Sequence, residues 1–132
     1  MPLNTRQRRA IREALERAGR PLGAREVHEA AQAAVPGLGL ATVYRALKTL
    51  ADDDTIHAVA LPGEAPRYEV AGKAHHHHFQ CRTCGRVFEV DGCLGDTSPL
   101  AALTPAGFRL AAHEIILYGN CAGCVNADSR RG

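Results

Sequence analysis

The 132-residue sequence lacks the signatures of several large protein classes. It has no apolar run near 18 residues, the length that a membrane-spanning helix needs. No apolar segment follows its charged first residues, so we expect no secretory signal and a cytoplasmic location. It also has no glycine-rich phosphate loop, no serine nucleophile elbow and no His-x-Glu pair ahead of a Pro-Cys-x-x-Cys motif, which a zinc deaminase needs. We therefore expect a protein that is not an enzyme.

The sequence also lacks a large excess of charge of one sign, because its formal net charge is only +2. The whole basic excess lies in residues 1–54, where several arginines crowd one short stretch. Such a stretch is compatible with contacts to nucleic-acid phosphates, although the solvated face of an ordinary helix would look the same. The arginines are Arg6, Arg8, Arg9, Arg12 and Arg17.

Apolar residues recur at helical spacing in three segments of the first half, residues 5–18, 24–35 and 41–51. A Pro- and Gly-rich turn at 36–40 separates the last two. Two short strand-like segments follow, at 55–61 and 67–70, with prolines between them. This order predicts a winged helix-turn-helix at residues 1–71, although any small three-helix domain with a polar face would share it. The third helix would read the major groove with its exposed residues Thr42, Tyr44, Arg45, Lys48 and Thr49.

The composition changes after a short linker at residues 72–74. Residues 75–81, 86–91 and 108–119 are rich in Val, Ile, Phe and Tyr and predict strands. Pro99 and Pro105 leave room for only a short helix between the last two. We expect a second small domain of mixed helix and strand at residues 75–132, and an α+β chain as a whole.

Two cysteine pairs share one internal spacing, Cys81-x-x-Cys84 and Cys121-x-x-Cys124. In a reducing compartment, paired cysteines indicate metal or redox chemistry rather than disulfides. Four thiolates suit a structural Zn²⁺ in tetrahedral geometry. Two unrelated reduced pairs, or a redox motif, remain the alternative. A fifth cysteine, Cys93, is expected to be a small buried side chain.

Four consecutive histidines, residues 75–78, precede the first cysteine pair. On a strand, successive side chains point to opposite faces, so His75 and His77 would share one face and His76 and His78 the other. The run therefore predicts two separate metal half-sites rather than one cluster. Partners would come from the other histidines and nearby carboxylates. The candidates are His28, His57, His113, Glu69, Glu89 and Asp96, of which His28 is expected to be a solvated helix residue.

Together these motifs resemble those of the ferric uptake regulator family of metal-responsive transcriptional repressors. GLATVYRALKTL (39–50) resembles the family's recognition helix, and HHHHFQCRTCG (75–85) its metal-binding strand. HEIILYGNCAGC (113–124) resembles its last strand and second cysteine pair, and Arg8 matches an arginine in its first helix. The resemblance implies an N-terminal winged helix-turn-helix, a small α/β dimerisation domain and a homodimer that binds double-stranded promoter DNA.

The resemblance also implies two metal sites beside the structural zinc. Pro21 stands where many members have a histidine, and Ala71 where some zinc sensors have a cysteine, so the sensed metal stays open between Zn²⁺, Fe²⁺ and Mn²⁺. Peroxide sensing within the same family, or a zinc-binding storage protein or enzyme, are the alternative functions. The implied regulatory ligands are His57, Glu69, His76, His78 and Glu89, and the implied accessory ligands are His75, His77, Asp96 and His113.

Overall fold

The fold is described from a computed structural model, which covers residues 5–92 and 99–131, without the side chains of Pro99 and residues 128–131. Cys93 and Asp96, singled out in the sequence, lie outside the described residues. The chain divides into two compact units, residues 1–73 and 74–132, called here the N-terminal and C-terminal units. No described helix is long and apolar enough to cross a membrane.

The N-terminal unit contains three helices and a hairpin. Its elements are α1 (Thr5–Ala18), α2 (Ala24–Ala31), α3 (Leu40–Asp52), β1 (Ile56–Leu61) and β2 (Glu64–Val70). The apolar stripes of the helices form one core, in which Ile11, Val27, Val43, Leu47 and Leu50 are almost completely buried. The predicted winged helix-turn-helix is confirmed, since α2, a short turn and α3 precede a two-stranded antiparallel wing.

The wing differs in detail from the sequence prediction. Pro66, expected between the strands, lies inside β2, and the register shifts between Val59 and Leu61. Proline has no backbone N–H and cannot donate a hydrogen bond to a neighbouring strand. It is therefore tolerated on the free edge of a two-stranded ribbon or where the register is irregular. Leu22, between α1 and α2, exchanges two backbone hydrogen bonds with Tyr68 of β2 at 2.9 and 2.8 Å, which anchors the wing to the helices.

The C-terminal unit is built on a three-stranded sheet in the order β4-β3-β5. Its elements are β3 (His77–Cys81), β4 (Val87–Val90), α4 (Pro99–Ala102), β5 (Ile116–Gly119) and α5 (Ala122–Arg131). β4 is antiparallel and β5 parallel to the central β3. The predicted α+β class is therefore confirmed, with a short helix beginning at the expected Pro99.

Two sequence predictions for the C-terminal unit are wrong, and one of its helices was missed. The strand predicted at 108–119 is confined to Ile116–Gly119, because β3 offers only a short edge for pairing. The first strand begins at His77, so His75 and His76 precede it. The helix α5 was not predicted, because its sequence has little apolar periodicity.

Apolar burial is unequal between the units. The core cluster lies wholly in the N-terminal unit. In the described part of the C-terminal unit, the buried apolar residues are Cys81 and Val87, beside the buried polar His77 and Gln80. Several large apolar side chains of this unit are exposed, namely Leu103, Phe108, Leu110, Leu117, Tyr118 and Val125.

Candidate DNA-facing helix and metal centres

The outer face of α3 presents the side chains predicted to read DNA. Tyr44 is 51% exposed, and Arg45 and Lys48 are also exposed, whereas Thr42 is half-buried. Nη2 of Arg45 donates to Oγ1 of Thr42 at 3.2 Å, one helical turn earlier. Because the opposite face of α3 fills the core, these polar groups are held on a rigid support.

The first turns of α1 place Arg8 beside the end of α3. Nη2 of Arg8 donates to Oδ2 of Asp53 at 2.6 Å, and both side chains are about two-fifths exposed. Hydrogen bonds from Thr55 and the charge of Arg8 lower the pKa of Asp53 below its ordinary value. This pair could not be predicted from a local pattern, because its members are 45 residues apart in the chain.

The prediction that His28 is solvated is wrong. His28 is half-buried, and its Nε2 donates to the carbonyl of Leu38 at 2.7 Å. Gln32 reaches the same carbonyl at 3.4 Å. The bonds connect α2 to the turn that precedes α3, so His28 orders the helix-turn-helix rather than facing water.

The wing carries two candidate metal ligands on adjacent strands. His57 of β1 lies directly opposite Glu69 of β2 in the antiparallel register. Cross-strand neighbours of this kind have Cβ atoms about 4.5–5.5 Å apart, so both side chains can reach one ion. His57 is exposed and Glu69 is only 4% exposed.

The histidine run divides by alternate residues, as the sequence predicted. His75 and His77 join His113, with ring centroids 4.6–5.0 Å apart. The Nε2 atoms of His75 and His113 are 3.3 Å apart. The potential ligand atoms of these three histidines all lie within 4.8 Å of one another, close enough for one ion.

The other two histidines form a separate pair, with ring centroids of His76 and His78 4.8 Å apart. Glu89 of β4 lies opposite His78 of β3 in the antiparallel register. Among the described residues of the C-terminal unit, potential ligand atoms cluster in two groups, the four paired cysteines and the three histidines His75, His77 and His113. Glu89 belongs to neither group. It is therefore a neighbour of this pair rather than a member of a formed cluster.

His77 is the most buried member of the three-histidine cluster, at 5% exposure. Burial lowers its pKa below the ordinary value, and the nearby His75 and His113 lower it further. The neutral ring, which is the form that binds metals, is therefore favoured. The amide of Ile115 donates to Nδ1 of His77 at 3.2 Å, so the neutral ring carries its proton on Nε2. Ligation through Nε2 would require this hydrogen bond to break.

The four paired cysteines converge at one end of the sheet. Cys81 ends β3 and Cys84 lies in the following turn. Cys121 lies two residues after the end of β5, just before α5, and Cys124 lies in the first turn of α5. The Sγ atoms of Cys81 and Cys124 are 3.7 Å apart, and those of Cys84 and Cys121 are 3.8 Å apart. A disulfide would need about 2.05 Å. Four thiolates about 2.3 Å from a central zinc form a tetrahedron with edges of about 3.8 Å. The donor set therefore fits Zn²⁺.

The paired cysteines differ in how readily they ionise. The amides of Cys84 and Cys121 each lie 3.4 Å from Sγ of Cys81 and lower the pKa of that thiol to about 6. Hydrogen bonds to the sulfurs of Cys121 and Cys81 raise the pKa of Cys124 to about 12. One sulfur is thus readily a thiolate while another holds its proton. A bound cation favours ionisation of all four.

Comparisons with known proteins identify the family. The model of the ferric uptake regulator family matches residues 3–118. The zinc uptake regulation protein of Mycobacterium tuberculosis is 35% identical over 124 residues, which are 92% of this chain and 93% of that protein. The ferric uptake regulation protein of Campylobacter jejuni is 31% identical over 93 residues, 70% of this chain but only 59% of the relative. The chain thus spans less than two thirds of the length of that relative.

A solved structure agrees at the level of the fold. The Helicobacter pylori ferric uptake regulator superposes with a TM-score of 0.76 at 24% identity, over 93% of this chain and 82% of the other. The resemblance inferred from the motifs is therefore confirmed over most of the sequence. On the strength of the family match and the near full-length relative, the chain belongs to the ferric uptake regulator family.

Proposed function

We propose that the protein is a metal-dependent, DNA-binding transcriptional repressor that controls genes of metal-ion homeostasis. The observation that carries the proposal is the combination, in one chain, of a winged helix-turn-helix with clustered cysteines and histidines of metal-ligand geometry. An enzyme or a storage protein would need no helix with an exposed Tyr-Arg-x-x-Lys face on a buried apolar support.

Residues 1–71 form the DNA-binding domain of this proposal, 72–74 its linker, and 75–132 the metal-binding dimerisation domain. The helix α3 enters the major groove, where side chains on its outer face contact bases and phosphates. Arg8 adds a phosphate contact from α1. The proposed DNA-binding residues are Arg8, Thr42, Tyr44, Arg45 and Lys48.

The four cysteines Cys81, Cys84, Cys121 and Cys124 would hold a structural zinc. The support is the match between the measured sulfur separations, 3.7 and 3.8 Å, and the edge of a zinc–thiolate tetrahedron. A closed shell of four protein ligands leaves no position for substrate, so the site stabilises the fold rather than catalysing a reaction.

The regulatory ligands would come from both parts of the chain. His57 and Glu69 supply one half from the wing, and His76 and His78 the other, with Glu89 as a further oxygen donor. The support is the cross-strand register of each half and the resemblance to the family. Ligands drawn from two domains would restrict their relative orientation, which selects the arrangement whose recognition helices fit the operator.

The size of the effect can be bounded by linkage. A 100-fold gain in DNA affinity on metal binding corresponds to a coupling free energy of about 2.7 kcal/mol. DNA must then tighten metal binding by the same factor. A second, accessory site would use His75, His77 and His113 together with Asp96.

Zinc is the favoured regulatory metal. Nitrogen and oxygen donors accept Zn²⁺, and the relative aligned over 93% of its length is a zinc uptake regulation protein. Fe²⁺ or Mn²⁺ would be favoured instead if Glu89 joins as a fifth ligand, because both accept higher coordination numbers than tetrahedral Zn²⁺. An Fe²⁺ site would also open the peroxide-sensing alternative.

The proposed partner is double-stranded promoter DNA, bound by a homodimer. The exposed Phe108, Leu110, Leu117 and Tyr118 of the C-terminal unit provide apolar surface for a second copy. Access to the chromosome requires a cytoplasmic location.

The deciding experiment titrates metal-stripped protein with Zn²⁺, Fe²⁺ and Mn²⁺ separately and measures binding to promoter DNA. The proposal expects at least one metal to tighten binding strongly and a chelator to reverse the gain. Metal uptake without any gain in DNA binding would favour a storage protein. Loss of DNA binding after peroxide treatment of the Fe²⁺ form would favour the peroxide sensor.

A further inference from the structure

Three consecutive carboxylates, Asp52, Asp53 and Asp54, mark the end of the helix α3. Asp53 forms an ion pair with Arg8 of α1 at 2.6 Å. Its two neighbours form no ion pair within the part of the chain that the structure describes. The contact with Arg8 therefore distinguishes Asp53 from two neighbours of equal charge.

The carboxylate of Asp53 is itself held in place. Its Oδ1 accepts hydrogen bonds from the amide of Thr55, at 3.1 Å, and from the Thr55 hydroxyl. The backbone N–H of Asp53 donates to the carbonyl of Thr49 at 3.0 Å, which closes the last turn of α3. Oδ1 is thus fixed by the segment that leads into β1, and Oδ2 is left facing Arg8.

The ion pair uses little of the Arg8 guanidinium. Nη2 contacts Asp53, whereas a guanidinium carries five N–H donors in a rigid plane. Arginine loses a large rotamer entropy when it is fixed by a partner. If a carboxylate already holds the guanidinium in one orientation, less entropy is lost when the remaining N–H groups bind a phosphate.

We propose that Asp53 is a positioning residue for DNA binding, which holds Arg8 in the orientation that contacts the DNA backbone. The inference rests on the proposed DNA-binding function and adds to it a residue that carries the wrong charge for contact with DNA. Asp53 acts through Arg8 and touches no nucleotide itself. Its pairing also ties the beginning of α1 to the end of the recognition helix.

The test compares Asp53→Asn with Asp52→Asn in the full-length, zinc-loaded protein. Both variants remove one negative charge near the DNA, and asparagine keeps an oxygen that accepts from Thr55. The probe is a duplex that the wild-type protein selects from a random-sequence library. Affinity is measured at several salt concentrations, with Arg8→Ala and the double variant Arg8→Ala/Asp53→Asn completing the cycle.

Asp53→Asn is expected to bind the duplex about fivefold more weakly than Asp52→Asn. This factor corresponds to the upper end of the free energy that one exposed ion pair contributes. The DNA affinity of Asp53→Asn should also depend less steeply on salt concentration, as in Arg8→Ala, because a phosphate contact is lost. In the Arg8→Ala background, Asp53→Asn should have almost no further effect. If Asp53 instead only stabilised the fold, Asp53→Asn would weaken DNA binding by the same factor with or without Arg8.

Equal or tighter binding by Asp53→Asn relative to Asp52→Asn would overturn the proposal, since Asp53 would then only repel DNA or compete for Arg8. A loss that persists in the Arg8→Ala background would overturn it as well. These outcomes leave the DNA-binding function intact. If the wild-type protein enriches no duplex from the library in any metal form, the proposed function itself fails.

Discussion

Removal of one zinc ligand should unfold the C-terminal unit and spare the N-terminal one. We consider Cys84→Ser, since Cys84 is the exposed member of the four and its loss leaves no large cavity. The variant keeps three thiolates, so the tetrahedral shell of the proposed zinc is broken. The expected result is loss of one zinc per chain.

The magnitude follows from what else holds the C-terminal unit together. Its buried apolar residues among those described are Cys81 and Val87. Full burial of a side chain of valine size contributes about 1.5–3 kcal/mol. Structural zinc in small domains contributes about 10–16 kcal/mol of apparent folding free energy at neutral pH. Zinc is therefore the larger contribution, and the unit should not remain folded without it.

The assay is hydrogen exchange resolved by segment, together with metal analysis. In Cys84→Ser the amides of β3, β4 and β5 should lose protection, whereas those of α1 to α3 should keep it, because the apolar core cluster lies wholly in the N-terminal unit. Cys93→Ser, which removes a thiol outside the four, serves as the control and should retain its zinc. Full zinc content with unchanged protection of the strands in Cys84→Ser would refute the reasoning.

Three further predictions concern DNA binding, regulation and stability. Arg45→Ala should weaken DNA binding by about 1–3 kcal/mol if Arg45 reads a base, with metal content unchanged, as measured by a gel shift and metal analysis. His76→Ala should keep the structural zinc but lose metal-dependent DNA binding, whereas His77→Ala should affect only the accessory site; equal losses in DNA titrations of the two variants would exclude two separate sites. Leu47→Ala, at a completely buried position of the core, should lower the free energy of unfolding by about 2–5 kcal/mol in denaturant titrations, and a change below 1 kcal/mol would contradict its packing role.

Local periodicity was sufficient for the three helices of the N-terminal unit and for the division of the histidines. Val43, Ala46, Leu47 and Leu50 recur at helical spacing, and all four are buried on one face of α3. The alternate residues of the histidine run separate as a two-residue period requires, even though β3 begins only at His77. Both patterns depend on the geometry of a few neighbouring residues, so the sequence alone could reveal them.

Predictions failed where the structure of a segment depends on contacts with residues outside that segment. The apolar residues of 108–119 look like one long strand, but β5 contains only Ile116–Gly119 because a strand extends only as far as its partner. His28 has the spacing of a solvated helix residue, yet it bonds to Leu38, ten residues further along the chain. Neither limit is visible in the segment itself.

By itself, the sequence determined the three helices of the winged domain, the two Cys-x-x-Cys pairs and the family, because each depends on spacing within a short segment or on motifs specific to that family. Only the tertiary structure decided which distant groups meet. The parallel pairing of β5 with β3 brings Cys121 to within 3.8 Å of Cys84, 37 residues earlier. The packing of α1 against α3 brings Arg8 to Asp53. Such contacts join segments far apart in the chain, and their geometry follows from how buried faces pack rather than from any local pattern.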